Sequence, residues 1–434
     1  MKNLGGVKLP HNKNTANSET VDFGLPKTIV IPMAQAMGAV PNLFLKRDDK
    51  VLKGQIIGNA DAFMSAPIHS PVSGDVIDIS DYLNPNGSHC KAVTIRPDGL
   101  QTLFETVKPP EITDKKSFIL AVRDSGLTGL GGAAFPTHVK FSYDETKTPI
   151  DTLIINGAEC EPYITADNRC FLEDTDDIID GIKLCMKYLN IKRCIISIED
   201  NKAEAIALMR EKTADMKAVE VKVLPSLYPQ GAEKVIIYKS TGRIVMEGEL
   251  PANAGVLVLN VSTVSFISKY CKTGIPLTSK RLTLDGSAIK KNRGNYNVLI
   301  GTPISELLEF GGAEDVKTIL YGGPMMGVPL YSPEQPVLKS TNAILAFDTD
   351  ISDSKNTGGV SACIRCGSCT RACPLNLLPM RFETAYKTKD AKMLKKLKLS
   401  LCMNCGCCSF ACPAHRPLAE INQLAKDFLR NAKI

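Results

Sequence analysis

Nine of the fifteen cysteines fall between positions 363 and 412. They form two runs with one spacing: Cys363, Cys366, Cys369 and Cys373 before Pro374, and Cys402, Cys405, Cys408 and Cys412 before Pro413. Gaps of two residues let three thiolates wrap one face of a cubane cluster, and the proline turns the chain away after the fourth. Structural zinc needs only two CxxC pairs, whereas each run here supplies four cysteines and a proline, twice. The spacing therefore points to two [4Fe–4S] clusters. Cys407 sits inside a two-residue gap and is the spare; it is expected to point away and to add polarity near the sulfurs.

The same spacing occurs in bacterial two-cluster ferredoxins, where the fourth cysteine of each run ligates the other cluster. On that logic one cluster takes Cys363, Cys366, Cys369 and Cys412, and the second takes Cys402, Cys405, Cys408 and Cys373. Between the runs, MRFETAYKTKDAKMLKKLKLSL reads as one amphipathic, strongly basic helical segment. Its basic side reads first as a solvated face, with docking of an acidic redox partner as the alternative.

A second constellation is GLTGLGGAAFPTHVKF, residues 126–141. Its glycines, among them Gly129, Gly131 and Gly132, let backbone amides approach a phosphate, and Lys140 adds charge. The spacing differs from the Rossmann GxGxxG. Downstream, INGAECEP ends a buried strand and puts Asn156, Glu159 and Glu161 where open parallel sheets bind ligands.

The elements that must position these residues follow from periodicity. DTLIING, CIISIED and VEVKVLP read as strands, separated by helical stretches EDTDDIIDGIKLCMKYLN and NKAEAIALMREKTAD. Alternation of this kind implies a parallel α/β sheet with crossovers, here over 112–275. Residues 276–346 return to short strands around one helix, a module of β-grasp size. Residues 347–360 are a polar Gly/Ser-rich linker, and 361–434 form the cysteine-rich helical end. Residues 1–105 read as an N-terminal segment and short strands, with Gly54, Gly58 and Gly74 as turn residues. KGQIIG and APIHSPVSGDVI there resemble the barrel-sandwich hybrid of biotinyl and lipoyl carriers. The equivalent of the modified hairpin, DAFMSAPIHS, has no lysine, which implies a structural relative and not a swinging arm.

Bulk composition narrows the class. The 434 residues carry 44% hydrophobic and 23% charged side chains with a net charge of +6, ordinary for a globular protein and a poor match to nucleic acid. No stretch approaches the ~18 continuous apolar residues of a membrane span, and the start lacks a secretory h-region. Clustered thiols then suit a reducing cytoplasm. The scattered Cys90, Cys160, Cys170, Cys185, Cys194 and Cys271 read as buried small hydrophobes.

The glycine loop and INGAECEP together resemble the flavin- and NADH-binding subunit of respiratory complex I, and so do YPQGAEK, LNVST and GTPISELLEFGG…ILYGGPMMG. Closer still, the chain resembles the C-subunit family of Rnf ion-translocating oxidoreductases. It shares with them GGVKLP, the hybrid domain, the flavin-site segments and both cysteine runs, in the same order over essentially the whole chain. The resemblance implies a multidomain α/β fold: a barrel-sandwich hybrid, a Rossmann-like flavin/NAD domain, a β-grasp-like (SLBB) domain and a two-cluster ferredoxin end. It implies noncovalent FMN, with Gly129, Gly131, Gly132 and Lys140 on the phosphate and Asn156, Asn260 and Thr263 on the flavin. Phe135 and Tyr143 would border the nicotinamide nucleotide, and Glu159, Glu161 and Glu233 its polar groups, as orienters and not catalysts. Three positions depart from the complex I pattern: Ala158 for Asp, Ala134 for Gly and His138 for Gly.

The implied activity is exchange of electrons between NAD(H) and ferredoxin, by a peripheral subunit on the cytoplasmic face whose integral membrane partners pump the ion. A flavin links hydride transfer to single-electron clusters. The rival readings are a soluble flavin and iron–sulfur cobalamin reductase of a bacterial microcompartment, and a non-enzymatic electron-relay adaptor.

Overall fold

A computed structural model describes residues 4–85, 87–349 and 359–432. Residues 29–97 build two facing antiparallel sheets. One has the order Ile29–Pro32, His89–Pro97, Gly74–Leu83, Lys50–Val51; the other is Asn42–Leu43, Ile56–Asn59, Ile68–His69. Ile29, Ile31, Val51, Ile57, Val93 and Ile95 meet between them with almost no exposure, which is the barrel-sandwich hybrid. Gly54 is a turn residue with φ +84. Gly58 and Gly74 are not: both lie in strands, and a Cβ at Gly74 would sit 2.1 Å from Arg96 O. At Gly74 a neighbouring backbone passes too close for a side chain, and at Gly58 a Cβ would press on the Met33 sulfur at 2.8 Å.

The α/β unit has four parallel strands in the order Val219–Leu224, Arg193–Glu199, Thr152–Gly157, Val256–Asn260. After Thr152–Gly157 the chain builds outward on one side for two strands. It then returns to add Val256–Asn260 on the other, so the strand order reverses beside Thr152–Gly157. Register puts Asn260 directly opposite Asn156 at that reversal, the place where doubly wound sheets bind ligands. The predicted helix at 173–190 spans Thr175–Tyr188, with Ile178, Ile182 and Cys185 buried. It packs on Val261–Thr273 so closely that a Cβ at Gly181 would lie 2.1 Å from Val264 O.

The third unit is a six-stranded mixed sheet crossed by the helix Ile304–Phe310, the β-grasp-like domain. Its edge strand is Thr20–Asp22, parallel to Gly294–Leu299. Part of the N-terminal segment therefore belongs with this sheet and not with the hybrid domain, because its backbone bonds go there. The predicted linker falls largely outside the described residues.

In the cysteine-rich end, the basic stretch is not one helix. Pro379–Lys387 and Ala391–Lys396 are separated by Lys389 at φ +53, and Phe382, Ala385 and Leu394 pack with the helix Leu418–Asn431. The apolar face is thus covered, and the lysines stay exposed. The two cysteine runs adopt one backbone twice. Left-handed residues recur at Arg365 and Asn404 (404 − 365 = 39), Gly367 and Gly406, and Asn376 and His415.

Candidate functional site

The glycine loop leans on the helix that starts at Asn260. Leu130 N donates to Thr263 Oγ1 at 3.0 Å, and Gly129 N to Phe135 O at 2.8 Å. A Cβ at Gly131 would come within 3.2 Å of Asn260 Nδ2, and Gly132 has φ +105. Position 132 therefore requires glycine, a side chain at 131 would crowd Asn260, and both glycines are exposed. Among the described residues, the amides of Gly131, Gly132 and Ala133 have no hydrogen-bond partner. An open run of free amides beside a helix N-terminus suits the phosphate end of a flavin mononucleotide.

Several predicted flavin contacts are committed to holding this cradle. Asn260 caps its helix through Ser262 N at 2.9 Å and donates to Asp167 Oδ2 at 2.7 Å. Asn156 donates to Gly231 O at 2.8 Å and accepts from Ala158 N. Lys140 Nζ bonds Glu233 Oε1 at 2.8 Å and Val258 O at 3.2 Å, with the Phe135 ring 5.9 Å away. Lys140, Phe135 and Glu233 are thus brought together beside the loop.

Three expected nucleotide contacts are placed in other work. Both oxygens of Glu161 accept backbone amides, from Met325 at 3.0 Å and Met326 at 2.9 Å, which clamps the YGGPMMG turn. Glu159 is buried and accepts from Asp167 N at 2.7 Å, with Lys13 Nζ 4.0 Å away. Burial pushes each of these carboxyls up to about 7. Tyr143 donates to Leu189 O at 2.8 Å and lies under Lys115 at 4.0 Å, against the α/β core.

Sequence reasoning missed the groups beneath the loop. Lys13 donates to the carbonyls of Glu159, Glu161 and Ile164. Lys280, buried, donates to Leu130 O and Lys339 O, and burial lowers it to about 7. Asp167 joins Asn260 to Ser262 Oγ. None lies in a periodic or motif context; only DNRCF, close after INGAECEP, hinted at Asp167.

The cysteines line two separate cavities. One is bordered by Cys373, Cys402, Cys405 and Cys408; the other by Cys363, Cys366, Cys369 and Cys412. Each set mixes three residues of one run with the fourth of the other. No group of three Cys, His, Asp or Glu among the described residues closes on one point as a single ion needs. A cubane places its own atoms between the thiolates, so sulfurs ringed round a cavity fit it. Cys407 also borders the first cavity, but it is fully buried and its Sγ lies 3.8 Å from Tyr228 O. All six scattered cysteines are buried or partly buried.

Comparison with known proteins places this geometry. Residues 122–269 match the Nuo51 FMN-binding domain, residues 1–100 the RnfC barrel sandwich hybrid domain, and residues 362–415 the 4Fe-4S dicluster domain. The chain is 40% identical over 382 residues to the C subunit of the proton-translocating ferredoxin:NAD(+) oxidoreductase complex of Clostridium ljungdahlii, covering 86% of this chain and 82% of that one. It is 37% identical to the Na(+)-translocating counterpart of Acetobacterium woodii, covering 87% and 85%. It is 38% identical to the C subunit of the ion-translocating oxidoreductase complex of Rhodobacter capsulatus, covering 97% and 82%. With such identity over more than four fifths of each chain, and three domain models in the same order, this protein belongs to the family of C subunits of Rnf ion-translocating oxidoreductase complexes.

Proposed function

We propose that the chain is the NAD(H)-reacting electron-transfer subunit of a membrane-bound ferredoxin:NAD+ oxidoreductase. Gly131, Gly132 and the Asn260 helix end would hold FMN, and the two cysteine sets would hold [4Fe–4S] clusters. Bound FMN supplies the exchange between a hydride and single electrons. The chain's own contribution is positional. The free amides of the loop receive a phosphate, Thr263 ties the loop to the helix that Asn260 caps, and Lys140 and Glu233 set charge at its rim. No helix of the described residues is long and apolar enough to cross a membrane. Attachment at the cytoplasmic face would come through the other subunits, which would also exchange electrons with ferredoxin and move the ion.

The observation that carries this reading is the adjacency of the two constellations. Tyr228, in the loop that holds Asn156 through Gly231, donates its hydroxyl to Cys405 O at 2.7 Å. An anaerobically reconstituted chain should hold about eight irons and one releasable FMN, and should oxidise NADH with ferricyanide. Full iron without flavin or NADH turnover would sink the proposal.

A further inference from the structure

The two cysteine halves repeat down to the helix that follows each run. Pro379–Lys387 and Leu418–Asn431 start 39 residues apart (418 − 379 = 39), the offset that also relates the left-handed residues. Glu383 and Asn422 therefore hold one position of the repeat with different chemistry. Glu383 is buried and fully engaged: Arg416 Nε donates to it at 2.9 Å, and Lys387 Nζ lies 2.8 Å away. Asn422 is fully buried and borders the cavity of the Cys373 set. Its Nδ2 is directed at two cysteines of that set, 3.6 Å from Cys402 Sγ and 4.0 Å from Cys408 Sγ. Among the described residues its Oδ1 has no partner. The lysine one turn further along changes its work as well. Lys387 pairs with Glu383, whereas Lys426 donates to Cys402 O.

A buried amide with an unpaired oxygen destabilises a fold unless its N–H groups are well used. Here Nδ2 donates to two sulfurs. A ligating thiolate carries no proton and can only accept, so Nδ2 and not Oδ1 must face it. We propose that Asn422 is a positioning residue that raises the reduction potential of the Cys373, Cys402, Cys405 and Cys408 site through N–H···S bonds to Cys402 and Cys408. The inference rests on the electron-transfer reading above. Reduction of a [4Fe–4S] group brings in one electron, no bond forms or breaks, and the amide keeps its proton. The added charge spreads onto the sulfurs, and a more negative sulfur holds an N–H donor more tightly. Asn422 therefore favours the reduced state. In the other half the equivalent side chain is a carboxylate taken up by Arg416, which itself borders that cavity. One fold used twice thus yields two sites tuned by different side chains.

The test uses the full chain reconstituted with both clusters, titrated anaerobically with dithionite and mediators and followed by electron paramagnetic resonance. Asn422→Leu, of similar volume, and Asn422→Ala, which leaves room, should keep the wild-type iron content. In each, one midpoint potential should fall by roughly 59 mV, a tenfold lower reduced-to-oxidised ratio at fixed applied potential. The second potential should stay in place. Glu383→Gln should leave the Asn422-sensitive potential where it is in wild type. The proposal is overturned if neither potential falls in the Asn422 variants, or if both fall together, as a general loosening of the unit would produce. Loss of half the iron in both variants would also overturn it, because the amide would then assemble the site and not tune it. Absence of flavin and NADH turnover in wild type would instead count against the electron-transfer reading, while the two potentials can still be read.

Discussion

Cys407 shows how position decides between chemically identical side chains. It falls between two ligand positions and also borders the cavity, yet its thiol is fully buried and directed at Tyr228 O, whereas Cys405 and Cys408 keep the two-residue spacing around the cavity with Cys373 and Cys402. Cys407→Ser is expected to keep about eight irons per chain, whereas Cys408→Ser should lose up to about four, read by iron assay and cluster absorbance. Equal losses in the two variants would refute the assignment. Glu161 is the second case. Burial lifts its folded-state value from 4.5 to about 7, so between those values the folded chain binds a proton that the unfolded chain has released. Its stabilising contribution is then fully present below pH 4.5 and is lost as pH rises through about 7. The slope is at most about 1.4 kcal/mol per pH unit. Thermal unfolding of Glu161→Gln should be less pH-dependent across that window than wild type; parallel curves would refute the link.

Among the elements, the contact between Thr175–Tyr188 and Val261–Thr273 fixes where the flavin cradle begins, because the second helix starts at Asn260. Gly181 permits that approach. Alanine would gain about 1 kcal/mol of helix propensity, but its Cβ would lie 2.1 Å from the rigid Val264 carbonyl, and overpacking costs roughly 1–3 kcal/mol. The clash wins on these magnitudes. Gly181→Ala should lower the unfolding midpoint and weaken FMN retention, and a raised midpoint would contradict the packing argument. The basic stretch at 380–401 teaches the opposite lesson. Its periodicity revealed a covered apolar face, but the break at Lys389 left no mark in the pattern.

For the whole molecule, the first residues act as a strap. Val7 pairs with Tyr228, and a Cβ at Gly5 would meet Cys373 O at 2.4 Å. Lys13 is inserted beneath 159–164, and Thr20–Asp22 completes the β-grasp sheet. The segment thus crosses three units, and Tyr228 joins two of them. Tyr228→Phe removes the hydroxyl bond to Cys405 O, worth about 1 kcal/mol. Hydrogen exchange over 402–408 should then accelerate while iron content holds. Unchanged exchange there would show that the hydroxyl does not hold the units together.

The two evenly spaced cysteine runs, the alternating strands and helices and the glycine loop were legible in the chain alone, because thiolate spacing, hydrophobic period and glycine content are local. That Cys373 and Cys412 each border the cavity of the other run was expected too, from the two-cluster ferredoxin spacing. What only the tertiary structure decided were contacts between residues far apart in sequence. Glu161 clamps a turn some 160 residues on, Lys13 binds the carbonyls of 159–164, and Lys280 lies buried under Leu130. The Cys405 loop faces inward, and Cys363 and Cys366 are left exposed. Such roles depend on which carbonyl or amide a fold brings within about 3 Å of a side chain, and no local pattern encodes that distance.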